Sequence, residues 1–253
     1  APARSLALSG LAAPFDLLAT DSNAKRSRLK DNFWLWGQNP GSHHVGSPEG
    51  GYKLPGVNHM DSIEGCNFFR IDKCLRVTMS TGPFPPFDAE AEKLKDLKEV
   101  VWSAIGAGGV TIYSNDNHSD VDEVIRMAKI YPNVTGAVMD DFFHGTEVPG
   151  RSSGRHSIES IQNIRGKLHG FANRPLDLWI VWYTYQLDFN VAEYLDLCDV
   201  ITLWTWKGSD LPELDANLKK MVDKTPGKRR FAGCYMWNYG ERKPLTMEQM
   251  KFQ

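Results

Sequence analysis

The feature that most constrains this chain is a succession of short, nearly uninterrupted apolar segments, each closed by turn residues and parted from the next by helix-like spacing. Residues 32–37 (NFWLWG), 66–77 (CNFFRIDKCLRV), 100–105 (VVWSAI), 134–139 (VTGAVM), 178–185 (LWIVWYTY), 200–206 (VITLWTW) and 231–237 (FAGCYMW) have a strand's length and composition. Residues 110–113 compete for the third place. The intervening stretches 89–99, 120–131, 157–168 and 211–223 carry apolar residues at three- and four-residue spacing. Ser119 is placed to cap the second of these and Pro132 to stop it, while Pro212 opens the fourth.

Strand–helix alternation implies a parallel sheet, and strands that are apolar throughout are strands covered on both faces. Such a run, in a chain of 253 residues, favours a (β/α)8 TIM barrel over a doubly wound sheet. Barrels of this type run to about 250 residues. No GxGxxG or GxxxxGK[ST] string follows the first segment, so nucleotide-binding folds lose their main support. Only residues 238–253 follow the seventh segment. No eighth strand is visible there, and 245–252 read as a helix opening, so the expectation is a barrel incomplete at its C-terminal side. The domain reading is an N-terminal arm or export-signal remnant over 1–30 and one catalytic domain over 31–253. Basic, short apolar and small residues before Pro14 suit an export signal, giving a secreted or periplasmic expectation with a cytoplasmic alternative.

Charge excludes more than it selects. With 29 basic and 31 acidic residues the net charge is -2, which gives no electrostatic pull towards nucleic acid or an anionic membrane. No apolar run approaches the ~20 residues of a membrane span. Cys66, Cys74, Cys198 and Cys234 lack CxxC spacing, which argues against structural zinc. Three of them read as small buried hydrophobes, with Cys66–Cys74 the one sequence-local disulfide candidate. Oligomeric state is not legible.

In such barrels active sites form at the C-terminal strand ends, which turns the strand order into a site list. The first strand offers Trp36, Gln38, His43 and His44, and the second Arg70 and Asp72. The fourth offers Asp140, Asp141 and His144, and the fifth Tyr183, Tyr185 and Gln186. The sixth offers Trp204, Trp206 and Lys207, and the seventh Trp237, Asn238, Tyr239 and Glu241. Adjacent Asp140 and Asp141 point in opposite directions if the strand continues, one to the axis and the other to a loop or helix end. Both would serve equally as turn residues. Glycoside hydrolysis needs two carboxyl groups about the scissile bond, and an acid from strand four with Glu241 across the mouth would supply them. Glu241 lies beside Arg242 and Lys243 and suits a solvated ion pair equally well.

Eight tryptophans are more than a chain of this size needs, and flat aromatic faces stack on sugar rings. Trp34, Trp179 and Trp182 read as core. Trp36, Trp206 and Trp237, nearer the strand ends, read as substrate contacts. His43, His44, His59 and His144 with Asp72, Asp140 and Asp141 raise a divalent-metal alternative, although neither HxH at the first strand nor HExxH occurs. No GxSxG elbow supports Ser–His–Asp chemistry, and Gly106–Gly109 reads as a tight turn. The long loop 38–64 is of a length that is usually functional or mobile, and in a barrel it would lie over the mouth.

The strings FWLWGQNPGSHH (33–44), VTGAVMDDFF (134–143), LCDVITLWTWK (197–207) and GCYMWNYG (233–240) resemble an uncharacterised bacterial family of TIM-barrel, glycoside-hydrolase-like proteins. The resemblance runs from residue 32 onward. It implies a further helix and strand beyond these segments, and more often an acid at the position of Asn238, so that an asparagine there puts full activity in question or marks an Asp→Asn change. The sequence reading is therefore a cofactor-free glycosidase with Asp140 or Asp141 and Glu241 as its carboxyls. Tyr183, Tyr235 and Tyr239 orient them, and a carbohydrate is the partner. Its rivals are a metal-dependent barrel isomerase, lyase or hydrolase acting on a small sugar or hydroxy acid, and a carbohydrate-binding protein without chemistry.

Overall fold

The computed structural model describes residues 31–44, 51–79, 81–105 and 120–253. The 1–30 arm, the Ser119 cap, the 106–109 turn and the rival strand 110–113 lie outside the described residues, as does part of the long loop. The unit Trp34–Gln253 carries a seven-stranded sheet with its strands in chain order. These are β1 (Leu35–Gly37), β2 (Lys73–Arg76), β3 (Glu99–Ile105), β4 (Val134–Met139), β5 (Asp177–Tyr183), β6 (Val200–Trp204) and β7 (Arg229–Gly233). Every neighbouring pair is parallel. The helices are α1 (Ser62–Phe69), α2 (Asp88–Leu94), α3 (Asp120–Ile130), α4 (Ile158–His169), α5 (Ala192–Leu197) and α6 (Leu214–Lys224). A hairpin, β8 (Trp237–Asn238) with β9 (Lys243–Pro244), and a single turn, α7 (Met247–Met250), follow.

Both faces of β2 to β6 are buried, which is why these strands carry no polar alternation. One set of alternating residues, among them Cys74, Trp102, Met139, Ile180, Trp182 and Leu203, packs with Val124, Met127, Ile161, Leu168 and Met221 of the helices. The other set, Leu75, Val101, Val138, Trp179, Val181 and Trp204 with Trp34, Trp36 and Phe231, packs on itself. That second cluster exists because the sheet curls. Trp34, at the start of β1, meets Trp179 of β5 at 5.0 Å and Phe231 of β7 at 6.2 Å between ring centroids. Trp36 meets Trp204 of β6 at 5.0 Å. Trp34 and Trp179 are thus core residues, and Trp182 lies on the helix-covered face with no exposed surface.

Four expectations are corrected. The apolar run 66–77 is not one strand. Asp61 accepts from the Glu64 N–H while Glu64 returns a bond to the Asp61 N–H, a capping box that starts α1. Such a cap is worth about 1 kcal/mol, and Arg70, with a left-handed φ of 55°, then ends the helix before β2 begins. The predicted 231–237 strand sits two residues too late. β7 begins at Arg229, whose guanidinium pairs with Asp177 and lies over the Trp179 ring, so that a charged residue enters the sheet. Trp237 belongs to the antiparallel hairpin. The predicted helix 211–223 opens as a 3-10 turn over Gly208–Glu213 that contains Pro212, and α6 starts only at Leu214. The fifth strand stops at Tyr183, where a 3-10 turn takes over because Gln186 turns back to accept from the Tyr183 N–H at 3.0 Å.

All four cysteines are free, Cys66 and Cys74 included. No helix among the described residues is long and apolar enough to cross a membrane.

Candidate active site at the C-terminal strand ends

β4 delivers Asp140 on the inner side, in phase with Val138, and its N–H is tied to the Ile105 carbonyl of β3 at 2.9 Å. The strand ends there. Asp141 takes a φ of 47°, a left-handed conformation that aspartate tolerates better than most residues and that costs of order 1–3 kcal/mol when the surroundings impose it. The surroundings here are Arg155, whose Nε donates to the Asp141 carbonyl at 2.8 Å, and Tyr183, whose hydroxyl donates to Asp141 Oδ1 at 2.6 Å. The expectation that the two acids point apart fails for this reason. The left-handed turn breaks the alternation, and both charges bear on Tyr52, Tyr183 and Tyr235.

The two carboxyls are not equivalent. Asp140 is only 5% exposed. Burial, and then the Asp141 charge beside it, push its carboxyl well above the usual carboxylate range, and the bond it accepts from the Asp141 N–H offsets only part of that. Asp140 is thereby set up to hold a proton where an ordinary aspartate has lost it. Tyr183 and Tyr235 are likewise pushed well up, by burial first and then by Tyr235 and the aspartates for Tyr183 and by Asp140 for Tyr235, so both keep their hydroxyl protons.

Around the pair stands a continuous aromatic surface. Tyr185, 45% exposed, stacks on Tyr183 at 5.4 Å. Trp206 stacks on Tyr239 at 5.6 Å and meets Tyr183 edge-on at 5.6 Å. Tyr235 bridges Trp204 and Tyr239, each at 4.8 Å. Burial lifts Tyr185 and Tyr239 to about 12. The long loop after β1 reaches this surface through Tyr52, which contacts Trp206 and Tyr239, and through His43, which lies 5.5 Å from both Tyr52 and Tyr239. Burial and the neighbouring His44 hold His43 below its ordinary range, hence neutral at pH 7. The Trp237 indole donates to the Tyr52 carbonyl at 3.0 Å and pins the loop to the β8 hairpin.

Other expected residues stand elsewhere. Arg70 caps α1, on the side where β2 enters the sheet, and Asp72 next to it accepts from the Lys98 N–H at 2.7 Å, so neither stands at a C-terminal strand end. Trp36 spends its ring on Trp204 inside the curl. Asn238, 1% exposed, accepts from the N–H groups of Gly208 and Glu241 at 3.0 and 3.2 Å and donates to Glu241 Oε2 at 2.6 Å. Its amide is a clasp inside the chain. Glu241 is held by that bond and by Lys243 at 2.9 Å, with Lys243 first among the causes that keep its carboxyl low. The charge bearing on Asp140 is that of Asp141. His144 is lowered by burial and by Arg151 and Arg155, and its carbonyl accepts from Gln186. Gln38 is half-buried just beyond β1, and both ring nitrogens of His44 are buried with no hydrogen-bond partner among the described residues. Among the described residues no three His, Cys, Asp or Glu side chains gather as metal ligands.

Three residues escaped sequence reasoning, the first being Arg155 on the Asp141 carbonyl. Tyr52 had one signal, its place in a loop too long to be a mere connection. Arg76, fully buried at the end of β2, bonds Glu90 at 2.7 Å, the carbonyls of Gly37 and Val77, and Asn39. An arginine within an apolar segment was its signal, and its work is to fix where the first loop leaves β1. A separate cavity of about 510 Å³ lies between the loop after β4 and α5, bounded by Glu147, Arg151, Ser152, Asn190 and Tyr194. Neither aspartate lines it.

Comparison of the chain with family models, with curated proteins and with solved structures gives no match.

Proposed function

We propose that this chain is a glycoside hydrolase of (β/α)8-barrel type that cleaves an oligo- or polysaccharide, with Asp140 as the proton donor and Asp141, held by Tyr183, beside it. The observation that carries the reading is the unequal pair itself. Burial and the neighbouring Asp141 charge raise the Asp140 carboxyl above the usual carboxylate range, and Tyr183 donates to the carboxyl of Asp141 beside it, an asymmetry that suits the division of labour in glycosidic cleavage. Exposed and half-buried aromatic faces around the pair suit the apolar faces of sugar rings, and neutral tyrosine hydroxyls suit their hydroxyl groups. The barrel reading rests on the seven parallel strands in chain order and on the β1 flank packing against β5, β6 and β7. Glu241, spent on Asn238 and Lys243, drops out as the second carboxyl.

The test is product release from a panel of oligosaccharides, polysaccharides and aryl glycosides, each with and without a chelator. Release that survives the chelator, falls by at least ~100-fold in Asp140→Asn and persists in Glu241→Gln is the expected result. Release lost on chelation would replace the reading with metal-dependent chemistry. Release unchanged in Asp140→Asn and Asp141→Asn would end it.

A further inference from the structure

We propose that Cys66 and Cys74 are the two halves of an internal disulfide, formed when the chain meets an oxidant of the glutathione disulfide class, and that the bond fastens the base of the first loop. The inference is independent of the hydrolase reading. It starts from the corrected fold. Were 66–77 one strand, the two cysteines would stand roughly 26 Å apart, at ~3.3 Å per residue. Instead α1 ends in the left-handed turn at Arg70, the Ile71 N–H returns to the Cys66 carbonyl at 2.9 Å, and β2 begins at Lys73. Both cysteines are free, fully buried and part of one core cluster. Cys66 Sγ lies 4.0 Å from the carbonyl oxygen of Lys73, the residue before Cys74. Ser62, one helical turn before Cys66, shares its face of α1. A Cβ placed on Gly37 would meet Ser62 Oγ at 2.6 Å and Cys74 Sγ at 2.7 Å, so the Cys74 sulfur stands against that same helix face. The two thiols share a hydrogen bond.

The pair is chemically unequal. The Cys74 thiol holds Cys66 below the ordinary thiol range, while the same contact and burial push Cys74 well above it. Cys66 is therefore the first to become a thiolate and the one that attacks. Its sulfur bonds to one sulfur of oxidised glutathione, whose S–S bond breaks and releases a glutathione thiolate. Cys74 then loses its proton to solvent, attacks the Cys66 sulfur of the mixed disulfide and expels the second glutathione thiolate. The two released thiolates take up the two protons that the cysteines gave up. One glutathione disulfide is reduced to two thiols, and two cysteine thiols are oxidised to one disulfide. Neither sulfur has exposed surface, so the exchange takes place while the chain folds or opens locally. The position gives the bond its effect. The first loop leaves β1 after Gly37 and returns to α1 at Asp61, and the Cys74 sulfur lies where these two ends meet. A covalent tie there closes the base of the loop that brings His43 and Tyr52 to the aromatic surface.

The experiment needs no substrate. The reduced chain is unfolded in urea, refolded in a glutathione redox buffer and weighed, then alkylated and digested with trypsin, which cuts after Arg70 and Lys73, between the two cysteines. The expected product is lighter than the reduced chain by two hydrogen atoms and keeps two of its four thiols. Its peptides 54–70 and 74–76 come off joined by a reducible bond. Its unfolding constant in urea should be roughly 10- to 100-fold smaller than that of the reduced chain, as for a bond that closes a short loop. Cys234→Ser removes the exposed thiol and should give the same linked peptides. Four free thiols after refolding, glutathione retained on Cys66 without the internal bond, or a bond to Cys198 or Cys234 would each overturn the pairing. Linked peptides with an unchanged unfolding constant would overturn the fastening.

Discussion

Tyr183→Phe isolates the contact on which the site depends. The substitution keeps the ring, its stack on Tyr185 at 5.4 Å and its edge contact with Trp206 at 5.6 Å, and deletes only the oxygen that donates to Asp141 at 2.6 Å. Tyr183 is 7% exposed, so water has little access to replace the lost donor. A hydrogen bond to a charged group contributes about 1.5–3 kcal/mol net. The measurement is a double-mutant cycle in urea at pH 7 over the wild type, Tyr183→Phe, Asp141→Ala and the double variant. A coupling energy of about 1.5–3 kcal/mol is expected, since the residues touch. No substrate is needed, so the result is independent of the proposed activity. Turnover on a cleaved glycoside should fall roughly 10- to 100-fold in Tyr183→Phe, at about 1.4 kcal/mol per factor of ten. A coupling below ~0.5 kcal/mol, the scatter of independent sites, would refute the claim that Tyr183 fixes Asp141.

Asp140→Asn should raise stability at neutral pH while it lowers activity. Burial and the Asp141 charge lift the Asp140 carboxyl in the folded chain, so the fold retains a proton that the unfolded chain releases near pH ~3.9. Stability is therefore lost as pH rises from that value through the raised one. The thermal midpoint of the variant should exceed the wild type's at pH 7 and converge with it towards pH 4, and a gap that widens on acidification would reverse the argument. Asn238→Asp should cost about 1.5–3 kcal/mol, because a carboxylate there loses the donor that Glu241 now accepts from at 2.6 Å. Urea unfolding of Asn238→Asp and of Asn238→Asp/Glu241→Gln checks this, with the second change expected to restore most of the loss.

The sequence was most legible where burial is two-sided. The runs at β4 and β6 are apolar because both faces are covered, so their first residues could be placed without slippage. It was least legible where a local bond outweighs the apolar pattern. Cys66, Phe68 and Phe69 look like strand, but the reciprocal Asp61–Glu64 cap makes them helix. The signal, Asp followed three residues later by Glu, was present and went unread. Arg229 hides a strand start because its charge is answered by Asp177, a residue 52 positions away. The Asp140–Asp141 pair was visible as chemistry and misread as geometry. Alternation holds only while backbone stays extended, and a φ of 47° at one residue leaves no mark in composition. The mislocation of Arg70 follows from the false strand, and that of Glu241 from counting residues along a hairpin whose partners were unknown.

The bond from the Trp237 indole to the Tyr52 carbonyl spans 185 residues, and it has a consequence in time. Loop closure over such a separation is entropically costly and comes late in folding. Tyr52, Trp206 and Tyr239 share one surface only after the first loop and the last hairpin have met. During refolding, secondary structure should thus return before the aromatic basin does, and recovery of ligand binding should lag behind it. A chain nicked within that first loop could keep its sheet and still lose the surface that any ligand would recognise.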